Sequence, residues 1–577
     1  MSTVLTKAED VIEVIVCDES KATKEAYIPE DSNPEAPTAG SSVRQAKRRP
    51  FWRKPKYELD SIATQPSVFD DPVTLEIYRP PAAWENTHRF DPSARWTWRE
   101  EYRVVKKIDV RIMIWAFIMF FSLDLDRSNI SQANTDNFLN DLGLTTNDFN
   151  LGNTLFKLCF LLAELPSQLI SKRIGPDVWV PSQMVLWSFV SLSQFWLTNR
   201  ASFLATRCLL GFMQGGFIPD MVLYLSYFYT KSELPLRLAW FWASNYAAEI
   251  ISALTASAIL RLRGVGGQAG WRYLFLLEGC LTLLVGIISF FMMPPSPTQT
   301  KTWFRPKGWF TEREEVVMVN RVLRDDPSKS DMHNREGLSI KMVFKVFLDW
   351  RMWPVYMMGI LHMVPVQPPQ TYLTLILRNL GFSTTETNLL SVPSKVIGLF
   401  TLLIFCYLSE IIDSRVGATI LLQFWALPLL IALYTFTEQT SSWVYFVVVT
   451  LITGFPYIHP VQVAWASTNS YSVSTRTVSA SIYNMCYQAD GMISANIYRE
   501  DDKDPDTHNY LDKRGNLALI VICAANIVLY ILTYFFYKGI NKRRDRVWNS
   551  WTAKEQQEYL DTTRDEGNTK MNFRFVY

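Results

Sequence analysis

The residues that could do chemistry stand inside stretches that are otherwise apolar. Val110 to Asn134 reads VRIMIWAFIMFFSLDLDRSNISQAN, so Asp124, Asp126 and Arg127 close a run apolar enough to span a bilayer. An ionised group at membrane depth costs about 2.5–3.5 kcal/mol on insertion scales, and persists where it pairs, faces a water-filled cavity or handles an ion. Asp126 and Arg127 can form a buried pair, weak as a stabilising device but workable as a switch remade when an anion or proton arrives. The plainer alternative is a pair that only fixes helix packing. Arg207 and Gln214 are seven residues apart, which returns them to one helix face after two turns. The planar fork of an arginine suits a carboxylate or sulfonate better than a lysine does. The following GFMQGGFIP allows close backbone approach and a bend.

Further polar groups recur in apolar runs. Lys157, Glu164 and Gln168 fall at i, i+7 and i+11 and share a face, with Glu164 beside Pro166 as a gate or proton site. Lys395 is a second candidate anion contact. Asn245, Asn484 and Gln488 are candidates to line a polar pathway or to bridge helices, and Asp490, with Asp126 and Glu164, is a candidate proton carrier. His362, Gln367 and Gln370 surround a proline-broken stretch, where a lone histidine is more often a satisfied hydrogen-bonding group than a relay. Among known signatures, the chain has no Walker sequence, no HExxH and no nucleophile elbow, and its seven cysteines show no disulfide or zinc spacing. ATP-driven pumping, an enzyme, a cofactor and a bound metal are therefore not expected.

The elements that must position these groups follow from composition. The 577 residues are 49% hydrophobic and 14% aromatic with a net charge of +2, which gives no hint of nucleic acid. Apolar blocks of about 20 residues each match the ~30 Å of hydrocarbon that a helix must cross. Membrane helices are expected near 110–132, 148–170, 178–197, 202–227, 238–260 and 273–293, and again near 354–377, 387–408, 416–435, 442–466, 477–498 and 516–537. The expected organisation is a cytoplasmic, mostly disordered leader (1–106), an N-terminal six-helix bundle (107–293), a cytoplasmic central loop (294–350), a C-terminal six-helix bundle (351–538) and a cytoplasmic tail (539–577). From about Asp91 the leader reads as an amphipathic lead-in, and EREEVVMVNRVLRD in the central loop as a surface helix. Lys/Arg bias puts Lys172, Arg173, Lys231, Arg237, Arg415, Arg476 and Lys542 to Arg544 on the leader's side, so both termini are expected in the cytoplasm. Arg261, Arg263 and Arg272 go against that rule. Lys172, Arg173, Glu410, Asp413 and Arg415 are read as latches at helix ends, and Arg499 to Asp506 as a solvated charge run.

The two groups of six look duplicated. Arg237 precedes Asn245 by eight residues and Arg476 precedes Asn484 by the same interval, SKRIGPD has a counterpart in LSEIIDSRVG, and the fourth and tenth blocks both carry Gly/Pro interruptions. That pattern points to a carrier whose site lies near the midplane between halves.

Six motifs in order, LDLDRSNISQANTDNF, AELPSQLISKRIGPDVWVP, RCLLGFMQGGFIPD, GWRYLFLLEG, AWASTNS and NFRFVY, resemble fungal members of the major facilitator superfamily. Specifically they resemble the anion:cation symporter group typified by allantoate permease, with wording similar to the branch that takes up sulfate and sulfonates. The resemblance covers Asp109 to the C-terminus. It implies an all-α, twelve-helix, two-bundle membrane protein, functional as a monomer in the plasma membrane, importing a small organic or inorganic anion with protons. The family's first-helix Asp-Arg pair then falls on Asp126 and Arg127, and its fourth-helix arginine on Arg207. Where proton-coupled relatives carry a glutamate, this chain has Gln214, so the titrating carboxylate is sought at Asp126, Glu164 or Asp490. The alternatives are an exporter or antiporter of amphipathic compounds, and a nutrient sensor that signals through its tails without flux.

Overall fold

A computed structural model describes residues 58–577 except 81, 83, 231–232, 326–328, 330–343, 345, 413, 438, 457, 471–472, 500–512 and 564–566. Glu410, whose side chain is not described, Asp413 and Glu500 to Asp506 thus leave one expected latch and the acidic run outside the described residues, as do the side chains of Lys172 and Arg476. The chain divides into two units: residues up to 109 with 225–240 and 296–331, and residues 110–224 with 241–295 and 332–577. Among the described residues no strand forms, only two isolated bridges.

The first unit is built on α1 (Pro72–Tyr78), α2 (Trp98–Ile108) and, from the central segment, α10 (Glu312–Asp325). Thr97 and Glu100 form a capping box that starts α2. Composition suggests disorder for the leader, yet its part from 58 onward is folded because α10 supplies both partners it lacks. Val319 and Leu323 bury Phe69 and Trp84 in one apolar cluster, and charged side chains of α10 reach four leader residues. Arg324 holds Asp70 through both carboxylate oxygens at 2.5 and 2.6 Å, and Arg313, Glu314 and Glu315 pair with Glu100, Lys107 and Arg89. Burial works against ionisation of Asp70, but the bonds from Arg324 and the Ser67 N–H hold its carboxyl below the ordinary value. A depressed carboxyl stabilises the fold at neutral pH and loses that contribution as pH falls through the depressed value.

The second unit carries most of the helices on the expected membrane stretches, with residues 225–240 of two of them in the first unit. Among the described residues five helices are long and apolar enough to cross a membrane. The helices on the expected stretches are α3 (Ile114–Ala133), α4 (Thr146–Ile174), α5 (Pro176–Ser193), α6 (Arg200–Gln214) with α7 (Phe217–Ser226), α8 (Leu234–Ile259) and α9 (Gly270–Met292). After the central segment come α11 (Trp353–Leu361), α12 (Gln367–Thr371) and α13 (Leu373–Asn379), then α14 (Thr384–Ile412), α15 (Arg415–Thr435), α16 (Ser442–Thr453) with α17 (His459–Thr468), α18 (Val473–Ser494) and α19 (Lys513–Trp548). Helices therefore fall on every expected stretch, and the fourth, seventh and tenth are broken where glycine or proline interrupts them. Packing repeats between the halves: α5 on α9 matches α15 on α19, α3 on α9 matches α11 on α19, and α4 on α6 matches α14 on α16.

Two glycines set how α4 and α6 meet. A Cβ at Gly211 would stand 2.3 Å from the Phe156 carbonyl oxygen, so only glycine permits this approach. Gly216, at φ +117°, ends α6, and a Cβ there would strike the Ser167 hydroxyl. The halves meet through neutral groups at one end of the unit. The Asn150 amide donates to the Tyr498 carbonyl at 2.6 Å, Asn496 to Thr154 at 2.8 Å, Thr374 to the Ser131 carbonyl at 2.6 Å and Asn388 to Thr135 at 3.2 Å. Two of the three arginines that went against the charge rule have local partners: Arg263 bridges Asp136 and Asp141, and Arg272 donates to the carbonyls of Phe195 and Leu197.

At the other end of the C-terminal half, residues 573–577 are clamped by side-chain amides. Asn469 and Asn541 each exchange both hydrogen bonds with the backbone, of Val576 and Phe575 respectively, and Phe575 stacks on Tyr537 at 4.9 Å.

Substituting Gly211→Val should drive α4 and α6 apart and cost transport activity together with stability, by about 1–3 kcal/mol for overpacking. Thermal unfolding of the purified protein in detergent checks this, and an unchanged midpoint would contradict the tight approach.

Candidate functional site

Between the halves of the second unit lies a cavity of about 390 Å³. Arg127, Arg207, Asn245, Lys395, Asn484 and Gln488 line it, as do Glu164, Gln367 and Gln370. Gln214, Asp126, Asp490 and His362 do not. The sequence-predicted residues thus separate into a lining set and a supporting set.

The cationic pole is assembled from three helices. Arg127, on α3, donates from Nε to the Gln214 side-chain oxygen at 3.0 Å and faces Asp124 at 3.7 Å. The expected pairing with Asp126 is therefore not the one formed: neighbours in sequence point about 100° apart on a helix, and Asp126 turns into the bundle to accept from the Ser191 hydroxyl at 2.7 Å. Arg207 is 5% exposed, donates from Nη2 to Asn153 at 3.1 Å, and lies over the Phe156 ring at 4.6 Å. Arg127 lies over Phe160 at 5.0 Å. The rings hold both guanidiniums against α4 by cation–π attraction, and Gly211 makes that possible by letting α4 and α6 touch. The Nε of Arg207 and the Oε1 of Gln488 are buried without a hydrogen-bond partner among the described residues. No carboxylate forms an ion pair with Arg207 among them; its charged neighbours include Arg127 and Lys157, both cations.

Across the cavity several polar groups are already engaged. Lys395 pairs with Glu249 at 2.9 Å, joining α14 to α8. His459 and Asn484 share a hydrogen bond at 2.8 Å, with Trp242 and Tyr487 against the imidazole. Asp490 caps the break between α11 and α12 by accepting from the Met363 N–H at 3.0 Å, just past the end of α11. It also accepts from Ser494. His362 meets both Gln423 and Tyr530 at its Nδ1, while its Nε2 is buried without a hydrogen-bond partner among the described residues.

Sequence reasoning placed Lys157 on the face of Glu164 without making it a site residue, and missed Glu249, Trp242 and His459. Lys157 lines the cavity, and its stem occupies the space left by Gly491, where a Cβ would stand 3.1 Å from Cε. The signal for Glu249 was present as the lone acid of α8, and its spacing to Asn245 places both on one face.

A cavity lined by charges, enclosed by two similarly packed helical halves, is the construction of a membrane transporter rather than an enzyme. The sequence profile of the Major Facilitator Superfamily matches residues 116–495, and the chain belongs to that family. It is 42% identical over 523 residues to the uncharacterized transporter YIL166C of Saccharomyces cerevisiae, covering 90% of this chain and 95% of that protein. It is 26% identical to the major facilitator-type transporter hxnP of Emericella nidulans, over 77% of this chain and 88% of that one. Among solved structures, an inward-facing bacterial homologue of the lysosomal transporter Spinster aligns at a TM-score of 0.57 with 14% identity, over 74% of this chain and 96% of that one. A D-xylose-proton symporter aligns at 0.53 with 15% identity, over 72% and 97%. The protein is a multi-pass membrane transporter acting on a small molecule.

An uncompensated buried charge is retained against stability. Arg207→Met should therefore raise the melting temperature of the empty protein in detergent, by about 2 °C or more, while abolishing transport. A lowered melting temperature would make the guanidinium a structural group.

Proposed function

We propose that this transporter imports a small organic or inorganic anion by proton symport with alternating access, in the manner of the allantoate permease group. One observation carries the reading: a buried guanidinium lines the cavity with no counter-charge in ion-pair contact among the described residues. Desolvation makes such a group bind an anion strongly, because its field is not screened by water. Arg127, set by Gln214, offers a second fork, and a carboxylate, sulfonate or sulfate-like group fits between them. Lys395 can join once Glu249 releases it, which would tie anion arrival to the contact between halves. Asn245, Asn484 and Gln488 supply neutral polar contacts. Asp126, Glu164 and Asp490 are the candidate proton carriers, since Gln214 cannot exchange a proton.

With the leader and tail in the cytoplasm, as the Lys/Arg bias supports, the end closed by Asn150, Thr374 and Asn496 is external and the described state opens inward. The plasma membrane is the proposed location. A second reading, export of amphipathic compounds, draws on the aromatic lining by Phe120, Phe156, Phe160 and Trp242.

Growth of a deletion strain on single sulfur, nitrogen or vitamin sources should identify the anion through one lost source. Uptake of that anion into proteoliposomes should rise with an inward proton gradient and collapse with an uncoupler. Arg207→Lys, which keeps the charge but loses the fork, should raise the KM about tenfold, the equivalent of one charge-assisted hydrogen bond. Uptake indifferent to the proton gradient would refute the coupling, and drug sensitivity of the deletion strain without a lost nutrient source would favour export.

A further inference from the structure

The N-terminal half holds a second buried acidic centre that does not line the cavity. Asp126 on α3 and Glu278 on α9 are 1% and 4% exposed. The side chains facing Asp126 are Ser191, Thr282 and Trp187; those facing Glu278 are Ser252, Asn129 and Asp126 itself. These are hydroxyls, an indole, an amide and one more carboxylate. No lysine, arginine or histidine faces either acid among the described residues. One oxygen of each carboxylate is buried without a hydrogen-bond partner among the described residues, as are both amide atoms of Asn129, which is 1% exposed, and the Trp187 N–H. Two ionised carboxylates with no cation are strongly disfavoured in so dry a space, so a proton on one of them stabilises the closed, dry arrangement, and its loss is tied to water reaching the pair.

We propose that Asp126 and Glu278 form the proton-binding centre of the transport cycle, a carboxyl pair that holds a proton on Oδ or Oε and releases it as the halves exchange access. Proton binding converts one carboxylate to a carboxylic acid and so removes one of the two negative charges from the dry space. The inference rests on the symport reading above and supplies the carboxylate that Gln214 lacks. Helix α3 gives the centre a mechanical route to the anion site, since it presents two faces. Asp124, Arg127, Ser128 and Ser131 line the cavity at i, i+3, i+4 and i+7, while Asp126 and Asn129 turn inward. A shift of α3 on proton release would move Arg127 with it.

The test uses the full-length protein, purified and reconstituted. Infrared difference spectra between acidic and alkaline buffer should show the carbonyl stretch of a buried carboxylic acid, titrating in the wild type and diminished in both Glu278→Gln and Asp126→Asn. Each amide imitates the neutral form, so both variants should fold, as size-exclusion elution reports. With the radiolabelled anion returned by the growth screen, Glu278→Gln should retain anion exchange and lose at least tenfold of proton-driven accumulation. A band undiminished in both variants overturns the proposal. So does proton-driven accumulation left intact in Glu278→Gln, which makes the pair a static packing device. Wild-type accumulation that follows a sodium gradient, or no ion gradient, refutes the symport reading itself and the pair's role with it.

Discussion

The site depends on keeping the Arg207 guanidinium charged in a place where nothing of opposite charge touches it among the described residues. Left alone, that arrangement would relax, by the arginine swinging to an acid or by water entering. Three features prevent it. The Phe156 ring lies against one face of the guanidinium, Asn153 takes one nitrogen, and the contact of Gly211 with the Phe156 backbone leaves no slack between α4 and α6. The glycine is thus as much part of the site as the arginine, because a methyl at that position would shift the ring off the charge. Arg127 is held likewise by a ring, Phe160, and an amide, Gln214, though with Asp124 at 3.7 Å. A neutral amide at 214 orients the fork without cancelling its charge, which a glutamate there would do.

Much of the helical frame could be read from the sequence, because span length and apolar content are one-dimensional properties. The broken segments were also readable, since Gly215-Gly216 and Pro368-Pro369 leave few alternatives for the backbone. Residue pairs were harder. Asp126 and Arg127 are adjacent and of opposite charge, which invites pairing on paper; helical geometry sends them to different environments. Lys395 gave no hint of Glu249, nor Asp126 of Glu278, because the contact of α14 with α8, or of α3 with α9, leaves no trace in either sequence segment. Gln214 was placed on the arginine's face by its spacing, and its actual partner lies on another helix. The folding of residues 58–108 escaped notice for the same reason: their partners on α10 are more than two hundred residues away.

The two kinds of contact in the second unit differ in how they can be undone. Within each half, helices touch through glycines and apolar side chains, where separation would open voids with no compensating gain. Between the halves, at the closed end, contacts are amide and hydroxyl hydrogen bonds such as Asn150 to Tyr498 and Thr374 to Ser131. A neutral hydrogen bond is worth about 0.5–1.5 kcal/mol net, because water replaces the partner when it breaks. A handful of such bonds amounts to a few kcal/mol, within reach of the differential affinity that one ligand can supply to a two-state equilibrium. The charged link between halves at the cavity among the described residues, Lys395 to Glu249, is also one that an arriving anion can compete for. Rigid halves joined by exchangeable bonds, with an ionic tie at the site itself, let the occupancy of the cavity decide which end is open.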